Sequence, residues 1–467
     1  MKTKHKYISW ALVLLLTVGL ILPGLVGTVH AAEPDIGYEV EVPALPVAPG
    51  SEVTVTIRMT GYTEDKPGLR GFQIDIGDVD NVLPGAICTS LVTDQENVLS
   101  DTAKYQSRKD IVRHLYAKMS GTMDYSQSDL LRLTVKVPET YNKAGTLSLP
   151  LTVLYQDENN DKVTHKGRID IRYDPNAAPV TVVSTVMDPS RDLSLGLQFF
   201  VADSRKVASV DVSYEKGTVV QKSLEELPVQ DGLYTITAQD IAAKEMEDAI
   251  TFTFRDEAGK AIHTETTSVR DYAMTILNGA VGKNAESTLY VDMLNYGAAA
   301  QQYFHYREDD LANAQVTSAQ QTFATADIAS TDIVNAQSKG TGYGGSCLEL
   351  TNQIKLKIAI QKSKVKTVAY AVISYTSPYG GAYSKTIQPG EFESNGNYWV
   401  FTAPELSVAD SRTVVKCVIY DSTGKAISTS TDSMESYASR MKPTGNEWDI
   451  YKTILKFSRS AIAYAGK

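Results

Sequence analysis

Hydrophobic and polar residues alternate strictly over several short runs in the first third of the chain. VAPGSEVTVTIRM places Val53, Val55 and Ile57 on one side of an extended segment, introduced by a Pro49-Gly50 turn. LRGFQIDI, LLRLTVKV, GTLSLPLTVLY and RIDIRY repeat that period of two, and the polar DENND at 157–161 separates two of them as a turn. Short strands between turns predict an antiparallel sandwich over residues 36–173. The more polar stretch Asp101–Lys118 interrupts the alternation and reads as helix-compatible.

From about 178 to 307 the period changes part-way. LSLGLQFFV, VASVDVSY, GLYTITA and AITFTFRD read as strands; SVRDYAMTIL and STLYVDMLNYGAAAQQYF then read as two helices. In the second of these, Leu289, Met293, Tyr296, Ala300, Tyr303 and Phe304 recur at about 3.6 residues. Residues 346–467 repeat the order. CLELTNQIKLKIAI, VKTVAYAVISY, NYWVFTAP and TVVKCVIYD precede the helical SMESYASRM and EWDIYKTILKFSRSAIAYA. Between the copies, residues 308–345 are rich in Ala, Thr, Ser and Gln and end in a glycine-rich stretch, which predicts a flexible linker. The expected architecture is mostly β, with a sandwich followed by two antiparallel-sheet modules that each end in a helical pair.

The duplication is visible in the letters. DEAGKAIHTETTSVRDYA at 256–273 and DSTGKAISTSTDSMESYA at 421–438 share ten of eighteen residues at a constant spacing of 165. Gly259 and Gly424 suit a hairpin turn opened by Asp256 and Asp421, and Ser268 and Ser433 stand where extended chain becomes helix, as N-caps do. Tyr272 and Tyr437 follow one turn in, placed to pin the helix to the sheet. Leu455, Phe457, Ala461 and Tyr464 match Leu294, Tyr296, Ala300 and Tyr303 at a spacing of 161. Each shared residue has a role in folding, and none requires a substrate.

The first residues bear on compartment. Lys2, Lys4 and Lys6 precede an apolar run from Ile8 to Leu25, and Val29-His30-Ala31 supplies small residues at cleavage positions. This predicts a secretory signal peptide over residues 1–31, hence a secreted or extracellular protein. No later run is long enough to span a bilayer and no sorting signal follows, so any attachment to a cell wall would be non-covalent. The formal charge is −10, and loss of three lysines with the signal takes it to −13. That balance argues against nucleic acid and anionic lipid as partners. The 436 residues left suggest about three domains at ~150 residues each. Three cysteines, Cys88, Cys347 and Cys417, are too few for a disulfide scaffold or a cysteine-based zinc site. Cys88 reads as a small buried hydrophobe. Export permits a bridge between Cys347 and Cys417, which lie in the same module.

VAPGSEVTVTIRMTG, GLRGFQIDI and DLLRLTVKVPETYNKAGTLSLPLTVLYQDENNDKVTHKGRIDI, in that order over most of residues 38–172, resemble a cohesin domain. The resemblance implies a nine-stranded jelly-roll sandwich, a fold shared with some carbohydrate-binding modules, and binding of a dockerin-like protein. The chain departs from the family where Gly77-Asp78-Val79-Asp80 replaces the usual Tyr-Asp-Pro, so no binding residue is carried over. The duplicated modules resemble a repeat found towards the C-termini of large secreted proteins of Gram-positive bacteria, a repeat without established activity.

The sequence carries no catalytic, cofactor-binding or metal-ligating constellation. His114, His165, His263 and His305 have no metal-ligand spacing and read as surface or turn residues. No nucleophile elbow or phosphate loop is present, and GTGYGG at 340–345 lacks a strand-to-helix context. Asp157–Asp161 starts like a calcium loop, but Lys162 and Arg168 stand where Gly and Glu are needed; Asp75, Asp78 and Asp80 are weaker calcium candidates. Tyr375, Tyr379, Tyr383, Tyr398 and Trp399 cluster in sequence and suit either a sugar platform or the closing of a core. The expected function is therefore an exported, non-catalytic binding or scaffold protein for a protein partner or a polysaccharide. The alternative is a carbohydrate-active enzyme, or its accessory subunit, with dispersed carboxylates.

Overall fold

The computed structural model describes residues 36–83, 88–90, 98–104, 110–118, 121–125, 128–187, 193–230, 232–350, 354–378, 381–441 and 444–466. The expected signal peptide, Tyr379 and the side chain of Cys88 lie outside the described parts.

Among the described residues the N-terminal unit has nine strands: β1 (Gly37–Glu41), β2 (Glu52–Thr60), β3 (Leu69–Gly77), β4 (Cys88–Ser90), β5 (Val98–Lys104), β6 (Ile111–Lys118), β7 (Asp129–Lys136), β8 (Gly145–Asp157) and β9 (Lys162–Tyr173). They form two antiparallel sheets, ordered β1-β2-β7-β4 and β5-β6-β3-β8-β9. Val53, Val55 and Ile57 on one sheet, and Phe72, Ile74 and Ile76 on the other, point into one core, as alternation requires. The helix-compatible stretch Asp101–Lys118 instead supplies β5 and β6. Its period of two was disguised because an inward position is held by His114, which is buried and tilted against Phe72 beside a stacked Phe72–Tyr116 pair.

The next eight strands are β10 (Val180–Val186), β11 (Leu195–Val201), β12 (Ser209–Tyr214), β13 (Val219–Ser223), β14 (Val229–Gln230), β15 (Leu233–Ala238), β16 (Ile250–Arg255) and β17 (Ala261–Thr267). They are followed by helices α1 (Val269–Gly279) and α2 (Ala285–Phe304). A short helix α3 (Ser318–Gln321) leads to β18 (Tyr343–Leu350), β19 (Ile354–Gln361), β20 (Tyr370–Thr376), β21 (Ala382–Ile387), β22 (Glu393–Asn395), β23 (Tyr398–Leu406), β24 (Val415–Tyr420) and β25 (Ala426–Asp432). Helices α4 (Met434–Met441) and α5 (Asn446–Tyr464) close the chain's described part. The first repeat pairs its strands as β10-β11-β15-β14 and β13-β12-β16-β17; the second as β18-β19-β23-β22 and β21-β20-β24-β25. Adding eight to each strand number converts one topology into the other, so the duplicated unit is two four-stranded sheets plus a helical pair.

The two repeats share one continuous core. Their second helices, α2 and α5, pack on each other, with the Tyr296 and Phe457 rings 6.0 Å apart. The N-terminal sandwich is attached in turn: Phe200 and Ala202 of the first repeat enter its core, Ala48 N–H donates to Ala202 O at 2.9 Å, and Arg205 donates to Pro49 O at 3.0 Å.

The expected flexible linker at 308–345 is instead pinned along its length. Arg270 grips the Asp310 carboxylate at 2.6 and 3.0 Å, and Gln301 both accepts from Ala312 N–H at 2.6 Å and donates to Asp310 O at 3.1 Å. Thr325 donates through N–H and hydroxyl to buried Asp292 on α2, and Ser338 pairs with Thr431 beside β25. The Ala, Thr, Ser and Gln composition that reads as linker is what satisfies buried polar groups at close packing distance.

Candidate functional site

The motif shared by the two repeats is a junction. Asp256 Oδ1 accepts from Lys260 N–H at 2.8 Å, and Asp421 Oδ1 accepts from Lys425 N–H at 3.0 Å. Gly259 and Gly424 adopt φ of +78° and +80°, the left-handed conformation that a side chain would strain. Ser268 Oγ accepts from Asp271 N–H, and Ser433 Oγ from Ser436 N–H, both at 3.0 Å, capping α1 and α4. Tyr272 meets Tyr290 edge-on at 5.9 Å; Tyr437 meets Tyr451 likewise at 6.3 Å. These rings fasten the first helix of each repeat to the second helix, where the sequence suggested an anchor on the sheet.

Beside that junction in the first repeat, several charged groups gather around the buried Glu247. Glu247, whose side chain is 1 % exposed, is 2.9 Å from Arg307 and 3.9 Å from Arg270. Arg307 also reaches Glu215 at 2.9 Å and Asp248 at 3.2 Å, and Tyr306 donates to Asp248 at 2.6 Å. Burial pushes the Glu247 carboxyl up to about 7 against the pull of Arg307, while hydrogen bonding from Arg270 holds Asp310 below its ordinary value. A carboxyl titrating near neutrality suits acid–base chemistry, yet the corresponding positions in the second repeat carry Arg412 and Glu435, 3.1 Å apart. Both positions lie at the spacing of 165, with the charges exchanged. A tie between the turn before β16 or β24 and the following helix survives that exchange. Comparing identical letters passes over the pair, and comparing charge at matched positions would have found it.

The other sequence candidates are dispersed. Asp75 is clamped by Arg113 at 2.5 and 2.6 Å, Asp78 accepts from Leu83 N–H at 2.8 Å, and Asp80 accepts from the Tyr141 hydroxyl at 2.8 Å. Asp157 caps the β8–β9 hairpin through Asn159 and Asp161 N–H groups. His165 bonds Ile36 O, His263 lies 3.9 Å from Glu265, and His305 faces Glu308; His114, expected at the surface, is buried. Cys347 and Cys417, for which the sequence permits a bridge, are both free here: Cys347 is exposed, and Cys417 faces the core, where burial pushes its thiol up to about 12. Tyr375 and Tyr383 stack at 5.1 Å against the core, and Trp399 packs on Phe392 beneath Lys362. These rings close a core, and only Tyr398 of the described cluster is exposed.

One broad surface remains. The outward side of β5-β6-β3-β8-β9 sets Leu115, Gln73 and Leu154 in one cross-strand row, with Arg113, Asp75 and Thr152 in the next. Leu115 is 39 % exposed. The Arg113–Asp75 pair is bidentate, and Gln73 donates to the same carboxylate at 3.0 Å, which fixes these polar groups flat against the sheet. No described element packs over this side, and its described side chains include no aromatic ring.

No protein-family model and no curated protein matches the chain. Parts of solved structures are similar. A cohesin module from a Clostridium perfringens family 33 glycoside hydrolase is 13 % identical, with a TM-score of 0.24, over 30 % of this chain and 96 % of that one. The sixth cohesin of Acetivibrio cellulolyticus scaffoldin B, solved with a dockerin, is 14 % identical, with a TM-score of 0.24, over 30 % and 99 %. The major pilin subunit of Bacillus cereus is 11 % identical, with a TM-score of 0.22, over 50 % and 66 %. No described helix is long and apolar enough to cross a membrane.

Proposed function

We propose that this chain is an exported, non-catalytic binding protein whose N-terminal sandwich docks a protein partner on the outward side of β5-β6-β3-β8-β9. The observation that carries the reading is the row Leu115–Gln73–Leu154 beside the flattened Arg113–Asp75 pair. Apolar side chains on either side of Gln73, with neighbouring polar groups already paired, lower the desolvation cost of covering the surface with another protein. The cohesin resemblance of residues 38–172 points to a dockerin-like partner, the class of protein named in the solved cohesin complexes. The described outward side chains offer a polysaccharide no aromatic ring to stack on. The charge reversal at Glu247–Arg270 and Arg412–Glu435 supports a structural role for the carboxylates an enzyme would use.

Calorimetric titration of the intact chain with purified dockerin modules, and separately with soluble cell-wall and plant polysaccharides, tests the reading. Saturable binding of a dockerin supports it. Binding of polysaccharide alone, or polysaccharide turnover abolished by replacing one carboxylate pair, overturns it.

A further inference from the structure

The first repeat has an opening unrelated to the docking surface above. β14 is two residues long and, among the described residues, pairs only with Leu233 and Tyr234 of β15, while β13 lies on the opposing sheet. Thr235 N–H donates to Pro228 O at 3.1 Å. Two residues beyond Thr237, the Tyr214 hydroxyl accepts from Gln239 N–H at 2.9 Å and donates to Gln239 O at 3.0 Å, standing in for a neighbouring strand. In an antiparallel strand the N–H and C=O of alternate residues face the same edge. Those of Thr237 therefore face the same edge as Thr235 and Gln239, with no described strand alongside.

A groove of about 590 Å³ follows that edge. Val212, Leu227 and Ile236 form its buried floor, and Val220 overhangs it from β13 at 41 % exposure. The overhanging stretch 218–222 spans about 13 Å at roughly 3.3 Å per residue, enough for four or five extended residues. The lining charges balance in sign. Lys216, which pairs with Glu245 at 3.0 Å, and Lys222 are offset by Glu226 and Asp240. That balance matches an uncharged occupant. In the second repeat Phe392 stands 165 residues on from Leu227, also directly after a 3-10 turn, and packs on Trp399 at 5.4 Å and Phe401 at 5.1 Å, so the smaller Leu227 holds the place of a large ring.

We propose that the groove between β13 and β15 binds an extended, uncharged peptide segment of a partner protein, which pairs with the β15 edge at Thr237 and inserts a large apolar side chain between Val220 and Leu227. Main-chain pairing would supply affinity, and the apolar slot selectivity for alternate side chains.

The test selects displayed random hexapeptides on the intact chain and counter-selects on Val220→Arg, an exposed position whose unchanged thermal midpoint verifies folding. Peptides with alternating apolar residues are expected to bind at least tenfold more weakly to the variant and to slow hydrogen exchange at the Thr237 amide. Failure to enrich any peptide over the Val220→Arg background, or protection confined to β3 and β6, overturns the proposal.

Discussion

Glu247 and Arg270 occupy the same two places in the first repeat that Arg412 and Glu435 occupy in the second, so an ion pair is kept while its charges are exchanged. Coulomb attraction is unchanged by that exchange, whereas proton transfer depends on which side carries the acid. The pair ties a 3-10 turn to the helix that follows the shared hairpin. Replacing Arg412 by Glu should destabilise the chain by about 1–3 kcal/mol, because Glu435 is then left buried beside a like charge. The double change Arg412→Glu, Glu435→Arg should recover most of that loss in denaturant unfolding. A double variant as unstable as the sum of its singles would contradict a role as a tie.

Burial raises Glu247 from 4.5 to about 7 in the folded chain. A raised carboxyl favours its protonated form, so its contribution to stability is complete below about pH 4.5 and is lost as pH rises through about 7. Glu247→Gln fixes the neutral form. The stability of this variant relative to the parent should therefore rise between pH 5 and pH 8, as read from thermal midpoints at matched ionic strength. A difference that stays flat with pH would contradict the burial of a titrating carboxyl.

Phe457 is fully buried where α5 meets α2. Phe457→Ala should cost about 3–5 kcal/mol. Because both repeats share the core around it, they should lose stability together, giving one shifted transition in calorimetry in place of two separate ones.

Much of this was legible in the letters, for identifiable reasons. Val53, Val55 and Ile57 alternate because one face is buried, and the spacings of 165 and 161 report a duplicated topology. The stretch around β6 was not legible, since His114 is a polar letter at an inward position and Arg113 faces outward to Asp75. The segment at 308–345 misled by composition. Ala312 and Thr325 are linker-like residues whose use depends on Gln301 and Asp292, which are distant in sequence until α2 brings them close. The docking row Leu115–Gln73–Leu154 combines three strands, so no single run displays it.

The docking surface itself is tested most directly by charging the two leucines that flank Gln73. Leu115→Arg with Leu154→Arg places two cations on the outward side of β6 and β8, and Thr54→Arg, at an exposed position on the opposite sheet, serves as control. Dissociation constants for a bound dockerin module, measured alongside thermal midpoints, should weaken at least tenfold in the double variant, and Thr54→Arg should match the parent. Equal weakening by both, or a double variant that binds as the parent does, would contradict docking on this side of the sandwich.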